Sequence, residues 1–478
     1  MSTVHTMQRG LEKALHRAGL ADDRELAGRV RDEGHRLVFL VNGIVRTSRL
    51  YQSDNAAFEG PAREVATVLK GLIDLLGAVH IVCVEEHIYV NDVRLRVRPP
   101  EQPVIDSFVA ELDRHNVGGL SFHAALSADA VKALAGALAA PAGQTGHGRS
   151  ALAAALGGIA EVELTGRYRF RVKGERRAVK LALGAVMRRG ATVATEAVAN
   201  LGANRLPNPL PVRRAVIDLV EALRENVGRA AAGPMRRRVA TMGAGDQHLL
   251  TVTNLALLLG QALGLDDAAL GDLGVAAMMH DVGYARGGTR ETHEGLGLRM
   301  LLRQRGFHEG KVRRLRVVLE HHLPFQGETT SLFARIIHIV DDYEVLTSSR
   351  PGQLPGIPPP TAQGAMWAAR GTTYDPDLLA VFAQLMGVYP PGSLLELSDG
   401  RWGVSVSGGR DPDRFAWPVI RIVREADGRA ASGREEIDLH AVRDRLRPKR
   451  VLNPASKGVE IGEVLDLAFG PLDDEEQP

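Results

Sequence analysis

LGDLGVAAMMHDVGYA (residues 270–285) sets an apolar run directly ahead of a His-Asp pair, His280 and Asp281. From about residue 245 to 390 apolar residues recur at spacings of three and four almost without interruption. That spacing predicts a helical domain around the pair. Adjacent residues on a helix diverge by about 100°, which places His280 and Asp281 poorly for chelating one ion from a single face. Asp281 suits a different task, since its two carboxylate oxygens can bridge two cations. The dipeptide alone is weak evidence because it is common by chance.

Outward from the pair, histidine is concentrated. Seven of the 16 histidines lie between 248 and 338. His248, in GDQHLLTVTNLALLLGQALGL (245–265), shares a helical face with Val252, Leu255 and Leu259, so its imidazole is expected to point into the core. A buried imidazole needs a partner for its nitrogen, either a core hydrogen bond or a metal. His293 opens HEGLGLRMLLRQRG (293–306). His321 and His322 close EGKVRRLRVVLEHHLPF (309–325) just before Pro324. Paired histidines there would equally suit the negative end of a helix dipole. Asp341 stands in ARIIHIVDDYEVLTSSRP (334–351) among strongly apolar neighbours. A carboxylate in such surroundings is costly unless paired or coordinated. Spacing alone leaves Asp342 an equal candidate for the buried position.

Taken in order, these segments read H, then HD, then H, then HH, then D in ARI-x4-D-x2-(D/E)-x-L-x3-RP. The pattern resembles the HD-GYP domain, a branch of the HD metal-dependent phosphohydrolase superfamily, over about residues 235–430, including the tail YDPDLLAVFAQLMGVYPPGSLLELSDGRWGVSV (374–406). The resemblance implies two divalent metal ions, iron or manganese. One would be held by His248, His280, Asp281 and Asp341, and the other by His293, His321 and His322, with Asp281 bridging. His280 and Asp281 would be the catalytic pair. Two close cations acidify a bridging water to hydroxide and neutralise a phosphodiester oxygen. The implied substrate is cyclic di-GMP or a related cyclic dinucleotide.

Three departures from the family pattern stand out. HD-x-G-K becomes HDVGYA, so Tyr284 replaces the lysine expected at a substrate phosphate. HHE-x2-DG-x-GYP becomes HHLPFQGETT (321–330), with Leu323 and Gln326 where the family has acids. The acidic residue some members use for a third metal is Ala244, so two metals are expected. Arg350 matches the family's phosphate-side arginine, whereas Gln353 replaces a basic residue. The metal ligands are kept and the substrate-facing residues eroded. The alternative reading is an inactive or weak module that binds nucleotide or a signalling partner protein without turnover.

The rest of the chain bounds these expectations. Its 478 residues exceed one small core. An apolar fraction of 45% with only 4% aromatics favours helices, and a net charge of +2 gives no bulk attraction to nucleic acid or membrane. With Cys83 alone there is neither a disulfide framework nor a Cys-based metal site. No stretch reaches the roughly 18–20 apolar residues of a spanning helix, and a cytoplasmic setting is expected.

The expected fold class is mainly α: a helical HD-type domain preceded by a small α/β domain and followed by a short β-rich element. Residues 1–30 read as a short helix and connector. Residues 31–140 read as an α/β regulatory or dimerising domain with helices near 35–50, 60–76, 104–115 and 128–139. A hairpin is expected in VHIVCVEEHIYVNDVRLRV (79–97) and a strand in GGLSFHA (118–124). PAGQTGHGRS (141–150) has linker composition. Residues 151–232 read as a helical connector with one strand near 161–172. The phosphohydrolase domain is placed at 233–390, the β-rich extension at 391–470 and a disordered acidic tail at 471–478. The basic runs at 235–240 and 311–316 are either a nucleotide-facing patch or solvated helix faces. His80 and His87 are read as core or surface residues, and a homodimer is expected by association only.

Overall fold

The computed structural model describes residues 23–50, 58–84, 87–140, 148–167, 183–225, 244–303, 309–327, 329–348, 356–407, 412–431, 435–461 and 463–464. Expectations for residues 1–22, for the linker at 141–147, for the basic run at 235–240, for Arg350 and for the acidic tail lie outside them.

The first unit opens with α1 (Asp23–Ser48) and α2 (Glu59–Leu76). Helix α1 begins well before the expected position because Leu26 and Val30 already carry the apolar spacing that Leu37, Val41 and Ile44 continue. Strands β1 (Val79–Val84) and β2 (His87–Val90) form the expected hairpin, and β3 (Val93–Arg94) extends it to a meander. Then come α3 (Gln102–Arg114), β4 (Gly119–Phe122) and α4 (Ala128–Ala139), the last capped by the Ser127 side chain. Helix α5 (Arg149–Ala155) and β5 (Val162–Thr165) follow. Strand β5 pairs antiparallel with β4, Leu164 opposite Leu120, completing a sheet of order β3-β2-β1-β4-β5. The first unit therefore runs to about residue 165 rather than ending at 140. Leu152, Leu156, Ile159 and Leu164 belong to its core, and the linker-like composition hid them.

Along β1 the side chains alternate between faces. Val79 and Ile81 face the helices, while Val82 and Val84 pack with Tyr89 on Leu210 of the next domain. Both faces are covered, which is why β1 is apolar on both sides apart from the buried His80.

The helical domain begins with α6 (Leu183–Gly202) and α7 (Pro209–Glu225). These are not a connector. Val186, Val216 and Leu223 share one core with α8 (Ala244–Ala262), α9 (Asp267–Met279), α10 (His293–Leu302), α11 (Glu309–Glu320), α12 (Leu332–Thr347), α13 (Pro359–Ala368) and α14 (Pro376–Met386). The helix starts follow capping chemistry: Asp266, Ser331 and Asp375 each accept a backbone N–H of the turn they open. Gly274 of α9 meets α7 so closely that a Cβ there would collide with Val216.

The C-terminal part is an antiparallel sheet of order β10-β6-β7-β8-β9, from β6 (Leu394–Leu397), β7 (Trp402–Ser405), β8 (Val419–Arg424), β9 (Glu436–Asp438) and β10 (Pro448–Leu452), with a short α15 (Pro454–Lys457) after it. Gly400, in the Asp-Gly turn between β6 and β7, has φ +91, which only glycine adopts readily. Among the described residues no helix is long and apolar enough to cross a membrane.

Candidate metal centre

Five helices deliver the seven expected ligands to one place. His248 comes from the first turns of α8, Asp341 from the middle of α12 and His293 from the first position of α10. The two dipeptides sit where helices stop. Helix α9 ends at Met279. His280 keeps helical angles, but Asp281 turns to φ −102, ψ 16 and starts a tight turn through Val282–Arg286. That change of backbone cancels the 100° divergence expected on a continuous helix. His280 Nε2 and Asp281 Oδ2 thus lie 3.5 Å apart, facing the same point. His321 and His322 likewise follow the last residue of α11.

The turn is possible because residue 283 is glycine. A Cβ on Gly283 would fall inside the His293 carbonyl, and one on Gly288 would lie 2.9 Å from His293 Cα. These glycines press the His-Asp turn against the start of α10.

Asp281 divides the site between its two oxygens. Oδ2 lies 3.3 Å from His248 Nε2, while Oδ1 lies 3.4 Å from His293 Nε2 and 3.3 Å from His321 Nε2. Asp341 Oδ1 lies 3.2 Å from His248 Nε2 and 4.0 Å from His280 Nε2, and its Oδ2 is 3.8 Å from His322 Nδ1. The candidate donor atoms fall into two principal groups sharing Asp281. One contains His248 and His280, the other His293, His321 and His322. A third set, His280, His321 and Asp341, links them.

The outer ring nitrogens fix what the inner ones offer. His280 Nδ1 donates to the Ala277 carbonyl at 2.7 Å, and His321 Nδ1 to that of Val317 at 3.0 Å. His293 Nδ1 lies 3.1 Å from both the Thr289 and Arg290 carbonyls. A carbonyl can only accept, so each Nδ1 carries the hydrogen and each neutral ring presents an Nε2 lone pair. His293 Nε2 and His321 Nε2 then face each other at 3.4 Å. Two lone pairs so placed repel unless a cation lies between them or a proton joins them. His280 Nε2 and Asp281 Oδ1 are buried and have no hydrogen-bond partner among the described residues. Each such orphan costs about 1–3 kcal/mol. A donor set of imidazole nitrogens and carboxylate oxygens with inward lone pairs fits divalent transition metals.

Electrostatics follow from the same packing. Burial works against charge on His248, but its hydrogen bonds to Asp281, Asp341 and Glu344 carry its pKa well above the ordinary value. Burial, then the neighbouring His321, push His322 down to about 3. Asp281 is held well below the usual carboxylate range: burial opposes this, and His280, His248 and His321 outweigh it.

Asp341 is 2% exposed and inside the cluster. Asp342 points away, accepting from Tyr374 Oη at 2.8 Å with His338 Nε2 at 3.3 Å. Tyr284 lies over the rim, its ring stacked on His293 with centroids 4.4 Å apart, and 44% exposed. Glu344 received no role from the sequence. It is 5% exposed and accepts from His248 Nδ1 at 2.6 Å and from Ser348 Oγ at 2.7 Å. Its spacing of three from Asp341 on one helix was the available signal.

Residues 245–346 match the HD domain family model, which supports an HD superfamily member. A cyclic di-GMP phosphodiesterase of Pseudomonas aeruginosa is 29% identical over 182 residues, which cover 33% of this chain and 43% of that protein. The chain thus matches less than half the length of this curated relative. Family and relative together support a metal-dependent phosphohydrolase.

Proposed function

We propose that the chain is an HD-GYP-type phosphodiesterase that hydrolyses cyclic di-GMP or a related cyclic dinucleotide in the cytoplasm, with two divalent ions, iron or manganese. The observation that carries the reading is the divided carboxylate of Asp281, with imidazole nitrogens converging on each oxygen. His248, His280 and Asp341 would hold one ion, His293, His321 and His322 the other, and Asp281 both. Bound there, two cations supply the positive charge that acidifies water and neutralises a phosphodiester. The backbone carbonyls of Ala277, Val317 and Thr289 keep three rings in the tautomer a cation requires. Glu344 does the same for His248. Tyr284, whose phenol is pushed up to about 12 by burial and then by Asp281, stays protonated and can donate a hydrogen bond to a phosphate oxygen. It cannot supply the charge of the lysine it replaces.

That replacement favours the second reading, a module that binds nucleotide without turnover. Purified protein, His280→Ala and Asp281→Ala are analysed for metal content and for hydrolysis of cyclic di-GMP and cyclic GMP-AMP. The expected result is about two ions per chain, phosphodiester cleavage by the parent, and joint loss of both in each variant. Full metal loading with no cleavage of either cyclic dinucleotide would select the binding module. Tyr284→Lys is expected to lower KM for the substrate several-fold, since a cation then meets the phosphate.

A further inference from the structure

The first unit and the helical domain meet at a narrow joint. Leu210 of α7 sits against Val82, Val84 and Tyr89, Arg213 pairs with Asp92, and Arg214 donates to Tyr89 Oη at 3.2 Å. Beside this joint the two units stand apart around a cleft of about 1580 Å³. Ligand pockets commonly form at such domain boundaries and hold about 300–1,000 Å³, so a nucleotide-sized molecule fits without opening the fold.

We propose that this cleft is a second ligand site, separate from the metal centre, that takes a phosphorylated small molecule of nucleotide size. Six guanidinium groups line it: Arg31, Arg94 and Arg96 from the first unit, and Arg213, Arg313 and Arg314 from the helical domain. Five aspartates line it too, but each is already engaged. Asp92 pairs with Arg213, Asp272 with Arg313 at 3.0 Å, and Asp113 with Arg167 at 2.9 Å. Asp106 accepts from Gln102 at 2.8 Å, and Asp266 caps α9 through the Ala269 N–H. Arg31, Arg94 and Arg96, by contrast, have no carboxylate partner among the described residues. Arg94 touches only His87 Nδ1, at 3.3 Å, and the Nε of Arg31 is buried without a hydrogen-bond partner. Arg94 and Arg96 alternate along extended chain, so both side chains leave on one side. Guanidinium forks without carboxylates match phosphate oxygens in pairs. Leu26, Val30 and Val97 add apolar surface on the same wall, suited to a flat ring.

The basic run at 311–316 fits this picture better than that of a solvated face. Lys311 is 2% exposed, and Arg313 and Arg314 look into the cleft.

The test is calorimetric titration of the full chain with ATP and, separately, with inorganic tripolyphosphate. Three variants accompany it: the double charge reversal Arg94→Glu/Arg96→Glu, the cleft-filling Ala268→Trp from the opposite wall, and Asp281→Asn at the metal centre. Arg94, Arg96 and Ala268 are exposed, and an unchanged unfolding temperature confirms that the cleft variants fold. The expected result is saturable micromolar binding of ATP, weakened at least tenfold by each cleft variant and unchanged in Asp281→Asn. Binding of tripolyphosphate alone would keep the site and reduce its ligand to the phosphate chain. No saturable binding of either probe overturns the proposal, as does binding that survives both cleft variants. Neither result bears on the phosphodiesterase reading.

Discussion

Across the first sheet His80 Nδ1 meets Ser121 Oγ at 2.8 Å and His123 Nε2 meets Glu163 at 2.9 Å. In the helical domain His293 Nε2 meets His321 Nε2 at 3.4 Å, with both outer nitrogens already committed to carbonyls. Both sets have a buried histidine at their centre, His80 in the first and His293 and His321 in the second, and both mix imidazoles with a carboxylate. In the first, each ring finds a protein partner able to complement it, and one nitrogen of His123 stands alone. In the second, lone pairs and carboxylate oxygens point at one another. Burial of histidine therefore does not identify a site. The direction of its unshared electrons does.

The largest expected effect breaks this contrast or confirms it. His280→Ala should lower phosphodiester hydrolysis about a thousandfold, about 4 kcal/mol, with loss of bound metal and little change in the unfolding temperature of chelated protein. His80→Ala should do the reverse, keeping metal content while costing about 1–3 kcal/mol for the stranded Ser121 and the cavity. Elemental analysis and thermal unfolding of both variants decide; metal loss in His80→Ala would erase the distinction.

Gly283→Ala comes next. Its Cβ must displace the His293 backbone, and overpacking of this kind costs about 1–3 kcal/mol. Denaturant unfolding should show that loss together with weaker metal retention, whereas Gly295→Ala, on the open side of α10, should show neither.

Glu344→Gln sharpens the comparison from the outer side of a ring. Replacing the carboxylate behind His248 should weaken metal affinity about 10- to 100-fold, read by competition with a chelator, and leave the fold intact.

The smallest effect is in pH. Burial, then the charge of His123, push His80 down to about 3, whereas the unfolded chain protonates it near 6.5. Below that value the unfolded state binds more protons, so stability is lost as pH falls from about 6.5 towards 3, by at most about 1.4 kcal/mol per pH unit. His80→Asn should flatten that slope relative to the parent, measured by amide exchange in β1 and β4.

Much of this was legible in the sequence. Helical spacing gave α2, α3 and α4 closely, and the order of His and Asp segments assembled the seven residues that the fold brings together. Two kinds of feature escaped. The reach of the first unit past residue 140 depended on β5 pairing with a strand more than 40 residues earlier, which local composition cannot express. The cooperation of His280 with Asp281 depended on the helix stopping at Met279. Periodicity locates such an end only to within a few residues. Glu344 was quoted within the motif, yet its hydrogen bond to His248 crosses 96 residues.

Helices α9 and α11 both run from the interdomain cleft to the imidazole cluster, each about 18–20 Å from first residue to last at 1.5 Å per residue. They are two stiff struts with a common pair of end plates. Packing that fixes the imidazole cluster therefore also fixes one wall of the cleft.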